Sequence, residues 1–281
     1  MKAVAASSIG QYEQSVRALA DYLRTVELGL GACFRAGAAA IPMQARAHHS
    51  QTIIGAVVFG SDQGLVGQFN EVVADLAIKT LGDLPGKHRV WAVGERVHAR
   101  LADAGMPLMA LFPLPSEVEA IAPLVGQILV ESEKPHDGRE VTELHLFYNH
   151  PTSGAVYAPV NKRLLPLDED WRKELASRSW LTGALPEIMG HGTATLRAFL
   201  RGYLFISLFR ACAESLASEN ASRLAAMQRA DKNIDDLLED LNGKFHRLRQ
   251  SGIDEELFDV IAGFEALGGG GTSKVRKELD L

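Results

Sequence analysis

The stretch LRAFLRGYLFISLFRACAESLASENASRLAAMQRADKNIDDLLEDLNGKFHRL, residues 196–248, decides how this chain is built. Alternate steps of three and four from Leu196 land on Phe199, Tyr203, Ile206, Arg210, Ala213, Ala217, Asn220, Leu224, Met227, Asp231, Ile234, Leu238, Leu241, Phe245 and Leu248. Only Arg210, Asn220 and Asp231 are strongly polar. A 3.5-residue repeat held this long makes a coiled-coil seam, because each apolar side chain returns to one face of a slightly underwound helix. No proline follows Pro186, so nothing downstream breaks a helix. The pattern predicts a helix over 190–267, longer than about 100 Å and far longer than a compact domain needs. From Leu248 the seam steps five residues, across Ser251-Gly252, to Ile253, and then resumes through Leu257, Val260, Phe264 and Leu267 on a rotated face.

Working outward, the same stepping near the start picks out Ala5, Ile9, Tyr12, Val16, Leu19, Leu23, Val26, Leu30 and Cys33. A second, shorter helix over residues 1–40 follows. Two such seams in one chain are buried most simply against each other, antiparallel, with the intervening residues forming a globular domain at one end. Residues 37–51, rich in Gly and Ala with Pro42 and His48-His49, read as a linker.

After the linker the period changes. Thr52–Phe59 is a continuous β-branched apolar run, the mark of a buried central strand. Gly60–Gly67 is a glycine-rich turn and 68–81 a helix. Strands are expected at 89–93 and 108–112, with a helix at 95–104 between them. Ser116 with Glu119 fits a capping box opening a helix that runs to about Glu133. Two further strands, 140–148 and 155–165, are joined around Pro151-Thr152-Ser153-Gly154. The fold class is therefore α/β: a long antiparallel coiled coil of the terminal helices carrying an inserted α/β domain, 52–165, with a mainly parallel sheet. Residues 166–192 read as a loop and 268–281 as a flexible tail.

Composition narrows the function. A net charge of -6 and a pI near 5.9 argue against a dedicated nucleic-acid binder, which shows a basic stripe. Two cysteines, Cys33 and Cys212, have no CxxC partner, so neither a disulfide framework nor a zinc site is indicated. Nine histidines show no HExxH spacing. The loop Ser61-Asp62-Gln63-Gly64-Leu65-Val66-Gly67 follows a strand and opens a helix, where phosphate sites form. Its spacing is not GxGxxG, and no Lys-Ser/Thr pair follows, so a structural turn is the favoured reading. No cofactor and no active site are indicated. An 18-residue uncharged apolar run is also lacking, so no segment reads as a membrane span.

Several ordered blocks resemble one family, the gamma subunits of rotary F-type ATP synthases. Residues 216–227, LASENASRLAAM, are similar to the family's LASEQAARMVAM, and 249–257, RQSGIDEEL, to its C-terminal signature RQASITQEL. Residues 61–67, SDQGLVG, resemble SDRGLCG, and the opening Met1–Ser7 resembles a block that family members carry after further N-terminal residues. That placement implies either a true start upstream of Met1, the favoured reading, or a first helix shorter than the family's. The departures at Asp254, Phe264, Gln63 and Val66 imply a divergent gamma, of either a housekeeping or an alternative F-type ATPase.

The resemblance implies a non-catalytic rotor present once per complex. Its partners are the alpha and beta subunits of the catalytic ring, an epsilon subunit and the membrane c-ring, at the cytoplasmic face of a bacterial inner membrane. It further implies that Arg223 meets an acidic region of beta, and that Arg249, Gln250, Asp254 and Glu256 lie at rotor contacts with the ring. Ser61, Asp62, Gly64 and Gly67 mark the loop of the foot domain. Two rival readings remain: a nucleotide-binding α/β enzyme with coiled-coil arms, which predicts nucleotide binding by the chain alone, and a non-rotary coiled-coil scaffold, which predicts a homodimer.

Overall fold

A computed structural model describes residues 2–36, 52–135, 139–153, 156–180, 182, 186–188 and 192–268. The expected linker over 37–51 and the expected tail beyond 268 lie outside these residues. The chain forms two compact units, 1–227 and 228–281.

The first unit opens with α1 (Lys2–Arg35) and contains the lower part of α6 (Gly192–Gly268), a helix of 77 residues. The two run antiparallel. Gly29 lies against the Phe199 ring, and Val26 lies opposite Gly202. Further back along α1, Tyr12 reaches the level of Cys212 and Glu219. Closeness is bought at Gly29, where any Cβ would fall 2.4 Å from Phe199. Val26, Leu30 and Cys33 pack with Leu196, Leu200, Tyr203 and Ile206 in one cluster, as the two seams predict.

Between these helices in sequence lies a five-stranded sheet, order β3-β2-β1-β4-β5. Its strands are β1 (Ile53–Phe59), β2 (Lys87–Val93), β3 (Leu108–Phe112), β4 (Glu143–Ser153) and β5 (Val156–Leu165). Strand β1 pairs in parallel with β2 and β4, β2 pairs in parallel with β3, and only β4–β5 is antiparallel. Every residue of β1 is buried, because both faces are covered. Ile54, Ala56 and Val58 pack on α2 (Phe69–Asp83) and α3 (Glu95–Asp103). Val57 and Phe59 face the other way, into a core shared with α4 (Ile121–Glu133), Tyr12 and the 208–217 segment of α6. Each large side chain so enclosed contributes about 1.5–3 kcal/mol. The sheet is thus bolted to the helix pair through its own core.

Two local expectations fail. The capping box at Ser116 does not form: Glu117 precedes a 3-10 turn, Val118–Ala120, without a side-chain cap, and α4 starts at Ile121. The stretch expected as a loop after Pro166 holds a helix, α5 (Glu169–Ser177), whose N-cap Asp168 accepts from the Asp170 amide at 3.0 Å.

Candidate functional site

The loop after β1 is spent on internal bonds. The Ser61 amide donates to Asn70 Oδ1 and the Asn70 amide nitrogen to Ser61 Oγ, each at 2.8 Å, while Ser61 Oγ donates to the Gln63 carbonyl at 2.9 Å. Asp62 accepts from the Glu95 amide at 2.9 Å and from the Leu114 amide at 3.1 Å, so one carboxylate caps α3 and anchors the chain after β3. Gly60 has no room for a side chain, since a Cβ would lie 2.3 Å from Val97. Gly64 packs near Arg96, and Gly67 takes a φ of 61°. Leu65, also at positive φ, is held out to solvent.

Open parallel sheets bind nucleotides at the crevice where strand order reverses, here between β1 and β4. Two side chains hydrogen-bond there. The Ser222 hydroxyl of α6 donates to the Val66 carbonyl at 2.7 Å, and Asn149 donates to the Phe69 carbonyl at 2.8 Å. These bonds make the loop a joint between the sheet and α6.

Residues 211–219 of α6 are buried without a break. Their seam faces α1 and their other faces meet the sheet. This enclosure holds acids that the seam pattern did not single out. Glu214 accepts from Arg210 Nε at 2.6 Å and from His150 Nδ1 at 2.9 Å, and it also bonds the Tyr148 hydroxyl, whose pKa is pushed up to about 12 by burial and then by that carboxylate. One turn on, Glu219 pairs with Arg223 at 2.6 Å. Burial raises the Glu219 carboxyl above its ordinary value, and Arg223 offsets this only in part. Arg223 itself is 14% exposed. Its guanidinium is held by its own helix beside the Ser222–Val66 joint, with a narrow face left open.

The remaining sequence-named residues lie in the second unit. Beyond 227, α6 exposes Ile234, Leu238, Leu241, Phe245 and Leu248, then Ile253, Leu257, Val260, Phe264 and Leu267. At about 100° per residue, Arg249 and Glu256 fall along one border of the 253–267 stripe, and Gln250 and Asp254 along the other. Among the described residues none of these four forms an ion pair. An apolar stripe this long with a polar border has the composition of a binding surface. Among the described residues there is no cluster of metal ligands and no helix long and apolar enough to cross a membrane.

The first unit thus holds an α/β domain packed on the paired terminal helices, and the second a helix with an exposed apolar stripe. A family model described as "ATP synthase" matches residues 1–267, and the chain belongs to that family, with the ATP synthase gamma chains as its relatives. The gamma chain of Clostridium botulinum strain Hall is 29% identical over 214 residues, covering 75% of this chain and 71% of that one. The Kyoto strain's is 28% identical over 216 residues, at the same coverage. In fold, the chain resembles the central stalk of the Tetrahymena thermophila mitochondrial ATP synthase, with a TM-score of 0.56 at 19% identity over 82% of this chain and 97% of that one. A chain of the Euglena gracilis mitochondrial ATP synthase matches with a TM-score of 0.56 at 15% identity, over 97% and 98%.

Proposed function

We infer that this chain is the rotor of the central stalk, a gamma subunit that couples ion flow across a membrane to ATP synthesis or hydrolysis. It makes and breaks no bond. Its task is to exert different contacts on successive catalytic sites, so that their binding free energies are linked through its orientation. The observation that carries this reading is the division of labour along α6. Residues 196–222 pack against α1 and the sheet, whereas 228–267 carry an exposed apolar stripe.

The partners are the alpha and beta subunits around the stripe, with an epsilon subunit and the membrane c-ring at the base. The complex sits on the cytoplasmic face of a bacterial inner membrane. Arg249, Gln250, Asp254 and Glu256 provide the polar contacts with the ring. Arg223 contributes through the part of its guanidinium that Glu219 leaves free, since a second carboxylate can share the fork.

Affinity purification from the native cell tests this. One copy of the chain should co-purify with three alpha and three beta subunits, the stoichiometry implied by a single shaft in a threefold ring. A homodimer without those partners would support the scaffold reading instead.

A further inference from the structure

The helix that the sequence concealed, α5, touches both members of the coiled coil. On the α1 side, Arg178 follows directly after α5 and donates to Glu27 at 2.7 Å and to Glu174 at 2.9 Å, while its own carbonyl accepts from Arg35 at 3.3 Å. The Arg172 guanidinium lies 5.1 Å over the Phe34 ring. Gly31 is pressed so closely on α5 that a Cβ would sit 2.4 Å from the Leu175 carbonyl, and Leu175 is 1% exposed. On the α6 side, Trp171 packs on Tyr203 with ring centroids 4.9 Å apart.

A coiled-coil seam built mainly of aliphatic side chains resists separation better than it resists sliding, because an axial shift can exchange one set of apolar contacts for another. Directional contacts that fit one register oppose such a shift. The Arg178 fork spans an acid on α1 and an acid on α5, and the Gly31–Leu175 approach admits no neighbouring residue in Gly31's place. Both contacts break if α1 slides along α5, and the Trp171–Tyr203 packing ties α5 to α6.

We propose that α5 is an axial brace of the shaft, and that Arg178 is the positioning residue that keeps α1 in register with α6 under torque. This rests on the rotor reading above. Under load, an unbraced α1 would absorb part of the twist as sliding, and the rod would turn with slip.

The test compares wild type, Arg178→Ala, Arg178→Lys and Gly31→Ala. Each is assembled in the full membrane complex, with ATP hydrolysis and ATP-driven ion transport measured together. Hydrogen exchange on the full-length chain accompanies these measurements. The brace predicts near-normal hydrolysis in Arg178→Ala but a transport-to-hydrolysis ratio about two- to tenfold lower. Arg178→Lys should recover part of the ratio, because it keeps one charge but not the fork. Exchange should rise in residues 27–35 and not in α2.

An unchanged ratio in both Arg178→Ala and Gly31→Ala overturns the brace while leaving the rotor reading intact. Equal loss of hydrolysis and transport also overturns it, since that marks a general folding defect. If the wild-type chain does not assemble with ring subunits, the rotor reading itself falls. Unchanged exchange in residues 27–35 of Arg178→Ala, measured on the chain alone, overturns the brace independently of assembly.

Discussion

The Ser222 hydroxyl donates to the Val66 carbonyl at 2.7 Å across 156 positions of sequence. This one bond joins α6 to the loop after the first strand. Replacing Ser222 with Ala leaves the Val66 carbonyl buried without its donor, because Val66 is 2% exposed. The expected cost is about 1–2 kcal/mol, read as a lower urea midpoint at unchanged slope. No shift would mean that a water replaces the hydroxyl.

Asp62 holds two backbone amides with two oxygens. Asp62→Ala should destabilise by about 2 kcal/mol. Asp62→Asn should fall between alanine and wild type, because its amide group preserves one acceptor and turns a donor toward the other amide. Chemical denaturation ranks the three, and an asparagine variant as stable as wild type would contradict the two-amide staple.

The buried Glu219–Arg223 pair predicts a sign. Because the folded pKa of Glu219 is raised above its ordinary value, the native state holds the proton more tightly than the unfolded chain does. Its contribution is fully present below the unfolded pKa, near 4.5, and is lost as pH rises through the folded value. Arg223→Ala removes the offsetting charge, so the loss above pH 4.5 deepens, by about 3 kcal/mol at neutral pH. Adding Glu219→Gln should return most of it. Stability curves for the four chains of this double-mutant cycle measure the coupling, and additive effects would rule out a working pair.

The four border residues of the upper rod should separate stability from coupling. Alanine at Arg249, Gln250, Asp254 or Glu256 should change the thermal stability of the free chain by less than about 0.5 kcal/mol. In the complex, the same variants should lower ion transport per ATP hydrolysed. Normal coupling in all four would remove them from the ring contact.

Leu238, Leu241 and Phe245 are each more than half exposed. Serine at all three should cut dye binding and concentration-dependent self-association of the isolated chain while leaving its folded base unchanged, as measured by light scattering and near-ultraviolet dichroism.

Much of this was legible in the sequence. Long repeats such as Tyr12 to Cys33 and Leu196 to Leu248 announce helices, because many residues vote for one period. The unbroken run from Ile53 to Phe59 announces a strand covered on both faces. Short elements carry few votes: α5 has one fully buried side chain, Leu175, and its visible signal was the cap at Asp168. The Ser116–Glu119 pair shows the opposite error, a local motif overruled when the chain enters α4 through a 3-10 turn. Glu214 and Glu219 lie off the seam, so the repeat alone does not mark them as buried. In α6 the sheet encloses the other side as well, so residues off the seam are buried too. The roles proposed for Arg249, Gln250, Asp254 and Glu256 rest on family resemblance, since an exposed helix face looks the same in sequence whether it meets water or a ring.

The five-residue step at Ser251-Gly252 sets an angular offset along α6. On a regular helix the stripe from Ile253 to Leu267 is offset by roughly 100° from the stripe from Ile234 to Leu248. A fixed collar around a turning rod would therefore be met by one stripe and then, a little over a quarter of a revolution later at the same bearing, by the other. Two storeys of the surrounding ring would be addressed with a phase lag written into the primary sequence. Deleting or inserting a single residue at this step would retime the two storeys without altering the chemistry of either.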